Sequence, residues 1–557
     1  MTAPDSSLNL VRAPWLPLRR RSGCIERVEP FRVTDRIDED PFVAFAWPRP
    51  DFNGAAHEFL IGALAAAAAP ENEDEWEDWW FAPPTPEVLE ARFESVAHAF
   101  DLDGPAARFL QDRDPLDGAE EKTVAALLID APGAQTLRNN ADLFVKRGGA
   151  PVLGRAAAAM ALFTLNAYAP SGGAGHRTSL RGGGPLTTLA IAGNELWGRL
   201  WPNVETVESI KDRWPLPSSL PDDAAAIFPW LGPTRASNPK AAGLTTTPAD
   251  IHPLQAYWGM PRRIRLIFEE SKGRPCALTG VEEETVVTAY RTRNYGIDYS
   301  EGFEHPLTPY YAQKAGGTRL AVHPRPGGLS YRHWPGLVAP SGDGLRQPAR
   351  AVRHVTAERK SFSMDEEPRF AAFGYDMDNM KARAWIEGEW PLPLIADEEA
   401  GEDLGGFIRQ AIKGAETVSR FLVRAVKSAL YDRPADAAGD YGFIAERFFR
   451  ETEAVFYEAY AAADTAARTG GGANPGDPTL EARVAWAKRM EAPALRLFDE
   501  CAPDDALESR NMERHVRARF HLCLALGGRG KAGKALFGEL GIPTPQPGGV
   551  GNGQEAA

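Results

Sequence analysis

The sequence predicts an α+β protein with a large mixed N-terminal domain over residues 1–395, an antiparallel four-helix bundle over 396–542 and a disordered tail over 543–557. Three observations lead to this prediction. Proline and glycine recur through the first part, where helical patterns are short and strand-like runs such as "RRIRLIF" (262–268) and "TVVTAY" (285–290) occur. Beyond that part, apolar residues recur at helical spacing over long stretches. At 557 residues the chain is also too long for one ordinary core.

The N-terminal part contains two alanine-rich stretches, 54–69 and 152–168, with the composition of helices. The acidic and aromatic segment "ENEDEWEDWW" (71–80) is interpreted as a solvated face beside a buried tryptophan cluster, with a partner-binding patch as the alternative. A domain boundary is predicted at "EGEWPLPLIADEEAGED" (387–403), because prolines end the preceding structure and acidic residues suit the first turn of a helix.

Four long helical patterns follow this boundary. They cover 404–430, 440–468, 478–500 and 504–526. The segments between them are short and rich in glycine, proline and aspartate. Short connections favour helices that lie antiparallel to their neighbours in the chain, which predicts the bundle.

The composition restricts the class of protein. Charged residues make up 25% and hydrophobic residues 43%, as in an ordinary soluble domain. The net charge of −14 argues against a free-standing nucleic-acid binder, although local basic patches remain compatible with it. The four cysteines show no C-x-x-C spacing, and we find no signal peptide and no apolar run long enough to span a bilayer. We therefore expect a protein of the prokaryotic cytoplasm, without contact with a membrane.

The most unusual segment is "APSGGAGHRTSLRGGGPLTT" (169–188), which contains six glycines. It lacks the lysine of a Walker A loop, and a helix-like stretch rather than a strand precedes it, which disfavours a nucleotide site. Two interpretations remain. The glycines supply positive φ in a crowded turn, or they leave bare backbone that can approach a groove and offer N–H donors. Arg177 and Arg181 add charge, and residues 140–199 carry a net charge of +4.

Two further segments have alternative interpretations. "TAYRTRNYGIDY" (288–299) interleaves cations with tyrosines, which suits contact with nucleic-acid bases and backbone but also fits an amphipathic strand with exposed arginines. "GYDMDNMKARAW" (374–385) contains two aspartates that resemble a metal-binding pair of a phosphotransferase. It equally suits a hairpin turn, since Asp and Asn tolerate left-handed conformations.

The helix predicted over 404–430 carries a row of basic residues near one face. These are Arg409, Lys413, Arg420, Arg424 and Lys427. Their spacing keeps them aligned along the helix. The row is either a solvated face or a surface that follows a phosphate backbone.

Four blocks taken together resemble one known family. In chain order they are "LNLVRAPWLPL" (8–18), "AAAMALFTLNAYAPSGGAGHRTSLRGGGPLTTL" (157–189), "NYGIDYSEGFEHPLTPYY" (294–311) and "YDMDNMKARAW" (375–385). In this order they are similar to CasA, the large subunit of the type I-E CRISPR Cascade complex. The resemblance covers most of the chain, and the glycine block is its most specific part.

The resemblance implies a non-catalytic subunit of an RNA-guided surveillance complex for antiviral defence. Such a subunit recognises the protospacer-adjacent motif (PAM) in double-stranded DNA from the minor groove and promotes duplex opening, so that an R-loop forms with the guide. The implied partners are the target DNA, the guide RNA, the backbone, small and guide-end subunits of Cascade, and the helicase–nuclease that is recruited after target binding.

The resemblance also assigns roles to residues of this sequence. The glycine loop that approaches the minor groove corresponds to Ser171, Gly172, Gly173, Ala174 and Gly175. The cationic finger is Arg293 or Asn294, with Arg291 beside it. The wedge that enters the base pairs corresponds to Asp378, Asn379, Met380 and Lys381. The loop that contacts the guide RNA and neighbouring subunits corresponds to Phe144, Lys146 and Arg147. Apart from the resemblance, the residues themselves make Arg177 and Arg181 candidates either to brace this loop or to follow the DNA backbone, and Arg409, Lys413, Arg420 and Arg424 candidates to follow that backbone.

Some members of this family carry a cysteine zinc cluster. Here only Cys276 remains, in "PCALTG", so we predict no metal and no other cofactor. Two competing hypotheses stay open at this point. One is a nucleotide- or metal-dependent phosphotransfer enzyme that uses the glycine loop and the DMDN motif. The other is a structural scaffold that does not contact DNA.

Overall fold

The computed structural model describes residues 7–142, 147–173, 175–214, 224–240, 243–359, 368–378, 380–395, 397–470, 476–503 and 509–545. Its strands are β1 (Leu16–Arg20), β2 (Ile25–Val28), β3 (Phe42–Phe45), β4 (Glu120–Thr123), β5 (Leu153–Gly154), β6 (Thr187–Ile191), β7 (Thr245–Thr246), β8 (Arg263–Glu270), β9 (Thr285–Arg293), β10 (Asp298–Tyr299), β11 (Tyr310–Ala312), β12 (Arg319–Ala321), β13 (Arg346–Gln347), β14 (Arg369–Asp378) and β15 (Lys381–Pro391). Its helices are α1 (Pro50–Ala67), α2 (Glu73–Phe81), α3 (Pro86–Phe93), α4 (Ala134–Arg138), α5 (Arg155–Tyr168), α6 (Trp197–Leu200), α7 (Val207–Asp212), α8 (Ala224–Ile227), α9 (Arg350–Ala357), α10 (Glu398–Leu430), α11 (Gly442–Thr469), α12 (Leu480–Cys501), α13 (Ser509–Leu526) and α14 (Gly530–Glu539).

The chain forms two compact units. The first comprises the chain up to Pro326 together with Gly336–Leu392, and the second comprises Gly327–Pro335 together with the chain from Pro393 onwards. A mixed region followed by a C-terminal helical region confirms the predicted fold class. Among the described residues, no helix is both long and apolar enough to cross a membrane.

The core of the first unit is built around the alanine-rich helices α1 and α5, as their composition predicted. Most residues of both helices are buried, because alanines and other apolar residues occur on all sides of each helix, and Asp51 and Glu58 of α1 are buried among them. Phe59 of α1 meets the rings of Trp15, Phe163 and Trp258 edge to face, at centroid distances of 5.2 to 5.6 Å. This packing fixes the helix that precedes the glycine block.

Helix α2 corresponds to the acidic and aromatic segment. Trp76 is completely buried and its ring stacks with those of Trp80 and Trp201, while most of the acidic residues of the helix are exposed. The helix begins after Asn72, whose side chain accepts a hydrogen bond from the backbone of Glu75. The predicted solvated face beside a tryptophan cluster is therefore confirmed.

Two antiparallel sheets of the first unit position the predicted site. Strand β9 lies between β8 on one side and β4 and β5 on the other. Strands β14 and β15 form a long hairpin, and β14 also pairs with β6, the strand that follows the glycine block. Strand β6 pairs only with the first half of β14, so the hairpin extends beyond it from Gly374 to its tip.

The second unit contains the four predicted long helices, α10 to α13. A fifth, short helix, α14, follows them, so the expectation of four helices alone is corrected. Leu536 of α14 is buried and anchors it. Helix α10 also begins earlier than predicted, because the side chain of Asp397 accepts a hydrogen bond from the backbone of Ala400.

The segment Gly327–Pro335 belongs to the helical unit although it lies far from it in sequence. Tyr331 stacks on Phe456 of α11 at a centroid distance of 4.2 Å, and its hydroxyl lies 2.7 Å from that of Thr452. Trp334 packs against Tyr460. Buried aromatic area thus holds the segment on the helices, and no periodic pattern in the sequence indicated it.

Candidate nucleic-acid interface

The glycine block folds into two consecutive tight turns. Gly172 and His176 exchange backbone hydrogen bonds of 3.1 and 3.2 Å, which closes a small loop around Gly173 and Gly175. In the second turn, the backbone of Gly182 donates to the carbonyl of Ser179 at 3.0 Å. Ala174, assigned to the glycine loop, lies outside the described residues, whereas Ser171 and Gly173 are exposed.

The glycines of the block are needed for different reasons. Gly175 has φ of +89°, and a Cβ atom there would lie 2.6 Å from the ring of Tyr295. Gly184 has φ of +66°, and its Cβ would lie 2.6 Å from Cγ of Met377. A Cβ on Gly173 would meet no atom within 4 Å. The crowded-turn interpretation therefore explains Gly175 and Gly184. It does not explain Gly173, where a side chain would point into open space outside the protein.

The structure joins the glycine loop to the end of strand β9. The backbone N–H of Tyr295 donates to the carbonyl of Gly175 at 2.8 Å, and Tyr295 itself has φ of +66°. Ser237 fixes the same region, since its hydroxyl donates to the carbonyl of Gly296 and accepts from Arg177. Two segments that the sequence analysis treated separately are thus one structural feature.

Strands β8 and β9 carry four arginines in two cross-strand pairs. The register places Arg263 opposite Arg293, and Arg265 opposite Arg291. Like charges that face each other across a sheet are destabilising unless other groups compensate for them. The compensating groups lie in the segment before and within β4, and they are Asp112, Asp114, Asp117 and Glu121.

The two arginines of the predicted finger already have carboxylate partners. Arg291 lies 2.8 Å from Asp117 and 3.1 Å from Glu121, and Arg293 lies 3.3 Å from Asp114. The side chains of Arg291 and Arg293 are 33% and 41% exposed, so a phosphate can reach them only in competition with these carboxylates. Asn294, the alternative finger residue, follows directly after the end of the strand.

The predicted wedge is the tip of the β14–β15 hairpin. Asp378 pairs with Lys381 in the strand register, so the chain reverses between these two residues. Met380 has φ of +68° and a side chain that is 57% exposed, while Asn379 lies outside the described residues. An exposed apolar side chain at a hairpin tip has the chemistry of an intercalating residue.

The aspartates of the hairpin are not arranged as a metal-binding pair. Arg383 binds both carboxylate oxygens of Asp376 at 2.7 and 3.0 Å and lies 3.8 Å from Asp378. One guanidinium therefore neutralises the site that the phosphotransfer hypothesis needs. The hairpin interpretation of this segment is confirmed.

Of the two roles expected for Arg181, the structure supports bracing of the loop and contradicts contact with the DNA backbone. Its side chain is 2% exposed and its guanidinium binds both carboxylate oxygens of the equally buried Glu58, at 3.1 and 2.7 Å. It also donates to the hydroxyls of Thr187 and Thr308. Arg181 braces the second turn from inside, because a buried arginine needs a paired carboxylate.

Arg177 remains at the surface of the same block. Its side chain is 32% exposed, lies 3.3 Å from Asp298 and donates to Ser237. His176, next to it, is neutral at physiological pH, because burial and the nearby Arg262 lower its pKa to about 4. Arg177 rather than His176 therefore supplies positive charge at this turn.

Arg262 is a residue that the sequence analysis missed. Its guanidinium donates to the carbonyl of Pro170 at the start of the glycine block and would lie 3.4 Å from a Cβ on Gly172. Burial lowers its pKa to about 10. Its position at the start of "RRIRLIF" was the available signal, but that run was interpreted only as a strand.

The loop assigned to guide RNA and subunit contacts is described only in part, since Phe144 and Lys146 lie outside the described residues. Arg147 is 52% exposed, and its guanidinium binds Asp142 at 2.5 Å and Asn140 at 2.9 Å. The side chain is therefore folded back on its own loop. A contact with RNA would replace these surface bonds, which contribute little to stability.

The basic row of the helical unit lies at the surface of α10. Arg409, Lys413, Arg420 and Arg424 are all exposed, and Arg420 also donates to Thr417. The spacing of these residues places them where solvent or a ligand can reach them. Their role in following a DNA backbone stays a prediction.

One group of metal-ligand side chains occurs among the described residues. Ligand atoms of Glu73, His354 and Glu358 lie within 4.8 Å of one another. Glu73 is already bound through both oxygens to Arg359, at 2.6 and 2.9 Å. Cys276 is a single buried thiol. The expectation that the protein binds no metal and no cofactor stays a prediction.

Comparison with known proteins identifies the family and the fold of the chain. Residues 9–497 match the family described as CRISPR-associated protein Cse1. The fold is similar to that of CasA from Thermus thermophilus, with a TM-score of 0.66 and 18% identity over 94% of this chain and 100% of that chain. It is also similar to Cse1 from Thermobifida fusca, with a TM-score of 0.66 and 19% identity over 96% of this chain and 98% of that chain.

A further solved structure with this fold is a chain of a CRISPR RNA-guided surveillance complex. The TM-score is 0.61 and the identity is 18%, over 93% of this chain and 100% of that chain. At such identities the structural likeness shows the fold, whereas the family match covers most of the sequence.

Proposed function

Because the chain belongs to the CRISPR-associated protein Cse1 family, we propose that it is the non-catalytic large subunit of an RNA-guided Cascade complex. In this role it recognises the protospacer-adjacent motif in double-stranded DNA from the minor groove and promotes duplex opening, which allows an R-loop to form. It then recruits the helicase–nuclease that degrades the target. Guide RNA and the other Cascade subunits are its partners, and the cytoplasm is its place of action.

The observation that carries this proposal is the hydrogen bond between Gly175 and Tyr295. It joins the loop with exposed Gly173 to the strand end that carries Arg293 and Asn294. Bare backbone beside cationic and amide side chains suits the minor groove, which is narrow and presents acceptors on every base pair. The degenerate pattern of that groove means that such a reader accepts several related motifs.

The hairpin tip supports a role in duplex opening. Met380 is exposed at the tip, with Lys381 after it, and Met377, one residue before the turn of the hairpin, packs on Gly184 of the glycine block. A rigid two-stranded hairpin can therefore hold an apolar side chain at a defined distance from the motif-reading loop. Insertion of such a side chain unstacks a base step, which starts the separation of the strands.

The phosphotransfer alternative has less support. The glycine loop has no lysine, and Arg383 binds the two aspartates of the DMDN motif. Transfer of a phosphoryl group requires cations that neutralise the developing charge, and metal-binding carboxylates that hold them. Asp376 and Asp378 are instead occupied by the guanidinium of Arg383, which leaves this place without a free metal-binding carboxylate pair.

Reconstitution tests the proposal. The full chain is combined with guide RNA and the partner subunits, and binding of a matched duplex is measured with and without the adjacent motif. We expect motif-dependent binding only when this chain is present. Equal binding of both duplexes, or binding that does not change when the chain is left out, contradicts the proposal.

A further inference from the structure

A groove of about 390 Å³ runs between helices α10 and α13 of the helical unit. Its floor is formed by small or apolar residues that are at most 8% exposed, namely Ala425, Ala518, Leu522 and Ala525. Ala532 of α14 also lines it. The floor is therefore an apolar surface between two helices that no other described side chain fills.

The charged side chains that line the groove are all basic. They are Arg424 of α10 and Arg514 and Arg517 of α13, and His521 lies among them. Arg514 is held by Asp432, and Arg517 pairs with the exposed Glu513. Arg424 forms no ion pair with a described residue. The pair of Arg517 with Glu513 lies at the surface and contributes little, so Arg424 and Arg517 leave a basic rim that favours an acidic partner.

The dimensions of the groove fit one helix. The lining residues of α13 run from Arg514 to Ala525, which corresponds to about 16 Å, or three turns, at 1.5 Å per residue. Alanines on the floor let a third helix approach to the 8–10 Å separation of packed helices. Single-stranded nucleic acid would instead require several aromatic rings on which bases stack, and Phe421 is the only phenyl ring among the described residues that line the groove.

We propose that an amphipathic helix of another protein docks in this groove, with small apolar residues on the alanine floor and aspartates or glutamates against the arginine rim. This inference rests on the proposed function in one respect: the partner protein is expected to be another component of the assembled complex. The occupant is an acidic protein segment, and nucleic acid is the alternative that the test must separate.

Cross-linking in the assembled complex tests this. The photoreactive amino acid benzoylphenylalanine replaces Phe421 in the full chain, which is then assembled with guide RNA and partner subunits and irradiated. We expect a cross-link to a helical segment of a partner protein that carries several acidic residues. Cross-links to nucleic acid alone, or none in a complex that has assembled, overturn the inference.

Charge reversal supplies the second measurement. The double variant Arg424→Glu/Arg517→Glu changes two exposed rim residues, and we expect it to lower the affinity for the cross-linked partner about tenfold. The control variant Lys488→Glu/Arg489→Glu makes the same charge change on the exposed face of α12 and should leave the affinity unchanged. Replacement of the mapped acidic residues of the partner by lysine should restore binding to the rim variant.

The two proposals can fail separately. If the wild-type chain does not assemble with the guide RNA and the other subunits, the proposed function is contradicted. If it assembles and binds the motif, but the rim variant and the control variant have equal affinity for the partner, only the groove inference is wrong.

Discussion

Arg181 and Glu58 form a buried ion pair that ties the glycine-rich turns to helix α1. Nη2 of Arg181 lies 2.7 Å from Oε2 of Glu58, and both side chains are 2% exposed. The hydroxyls of Tyr168 and Thr187 complete the hydrogen bonding of the carboxylate. The position of the glycine block thus depends on a fully satisfied polar cluster in the core.

Loss of one partner of this pair should be costly. We expect Arg181→Met to destabilise the first unit by about 3–5 kcal/mol, because it leaves the Glu58 carboxylate buried without its counter-ion. The double variant Arg181→Met/Glu58→Leu should recover much of that loss, since it removes both charges. Urea unfolding of the full chain measures this. Equal stability of the single and double variants contradicts the assignment.

Substitution of Gly173 tests whether the bare backbone at this position leaves space for the DNA, and it should do so without disturbing the fold. A Cβ at this position meets no atom within 4 Å, and φ is not in the left-handed region. We expect Gly173→Val to change the free energy of unfolding by less than about 0.5 kcal/mol. It should weaken motif-dependent duplex binding at least about tenfold, because the side chain would occupy space needed by the groove wall.

The matched control for this variant is Gly342→Val. Gly342 is also exposed, also without a neighbour within 4 Å, and lies in the same unit. Binding equal to wild type is expected for the control. If Gly173→Val binds the motif as well as the control does, Gly173 does not face the DNA.

Asp117 should weaken DNA binding, because its carboxylate competes with DNA phosphates for the guanidinium of Arg291. Its carboxylate is 78% exposed and lies 2.8 Å from Arg291, so Asp117→Asn leaves Glu121 as the one remaining carboxylate partner of that guanidinium, with little effect on stability. We expect duplex binding to strengthen about two- to threefold. The slope of log binding constant against log salt concentration should become steeper by up to about one unit, which corresponds to one more neutralised phosphate.

Fluorescence anisotropy at salt concentrations from about 50 to about 200 mM gives both quantities. The control is Asp38→Asn, which changes the charge equally at another exposed site of the unit. If both variants alter binding equally, net charge rather than the weaker ion pairing of Arg291 is responsible.

Met380 should act after the first contact with DNA. We expect Met380→Ala to reduce duplex opening about tenfold while initial motif binding falls less, because the shorter side chain cannot fill an unstacked base step. Fluorescence of 2-aminopurine placed next to the motif reports opening. Val281→Ala shortens another side chain of the unit, one that is 37% exposed, and should have no effect. Normal opening by Met380→Ala would exclude the wedge role.

Stability should fall in mild acid because of His57. Burial lowers the pKa of His57 from 6.5 to about 4, and its Nδ1 lies 2.8 Å from the carbonyl of Asn53. The unfolded chain therefore binds a proton at a higher pH than the folded chain. The stabilisation is complete above about pH 6.5 and is lost as pH falls towards 4.

At pH 5 this loss amounts to as much as about 2 kcal/mol from His57 alone. Urea midpoints of wild type and His57→Gln at pH 7 and pH 5 measure it. The variant should lose less stability between the two pH values than wild type does. An equal loss would show that other groups control the acid sensitivity.

Sequence patterns predicted the fold where one local signal dominates. Helices α1, α5 and α10 to α13 follow from apolar periodicity or alanine content, and the β14–β15 hairpin follows from turn chemistry between two strands. The short helix α14 was missed because its ten residues give too little periodicity. The segment around Tyr331 was missed because its contacts lie more than 100 residues away.

The candidate site was predicted less completely. The resemblance of four sequence blocks indicated the glycine loop, the finger and the wedge, but not the bond between Gly175 and Tyr295. Arg262, Asp114 and Asp117 were missed, since nothing local distinguishes a basic or acidic residue that faces a distant strand. Arg181 was assigned to DNA because its neighbours in sequence are polar and glycine-rich.

The sequence by itself determined the family, the division into a mixed part and a helical part, and the presence of a glycine block without a nucleotide-binding signature. Tertiary structure alone decided which cations are accessible. Arg177 lies at the surface and Arg181, four residues later, is buried against Glu58. The physical reason is that burial and ion pairing depend on partners more than 100 residues away, which no local pattern encodes.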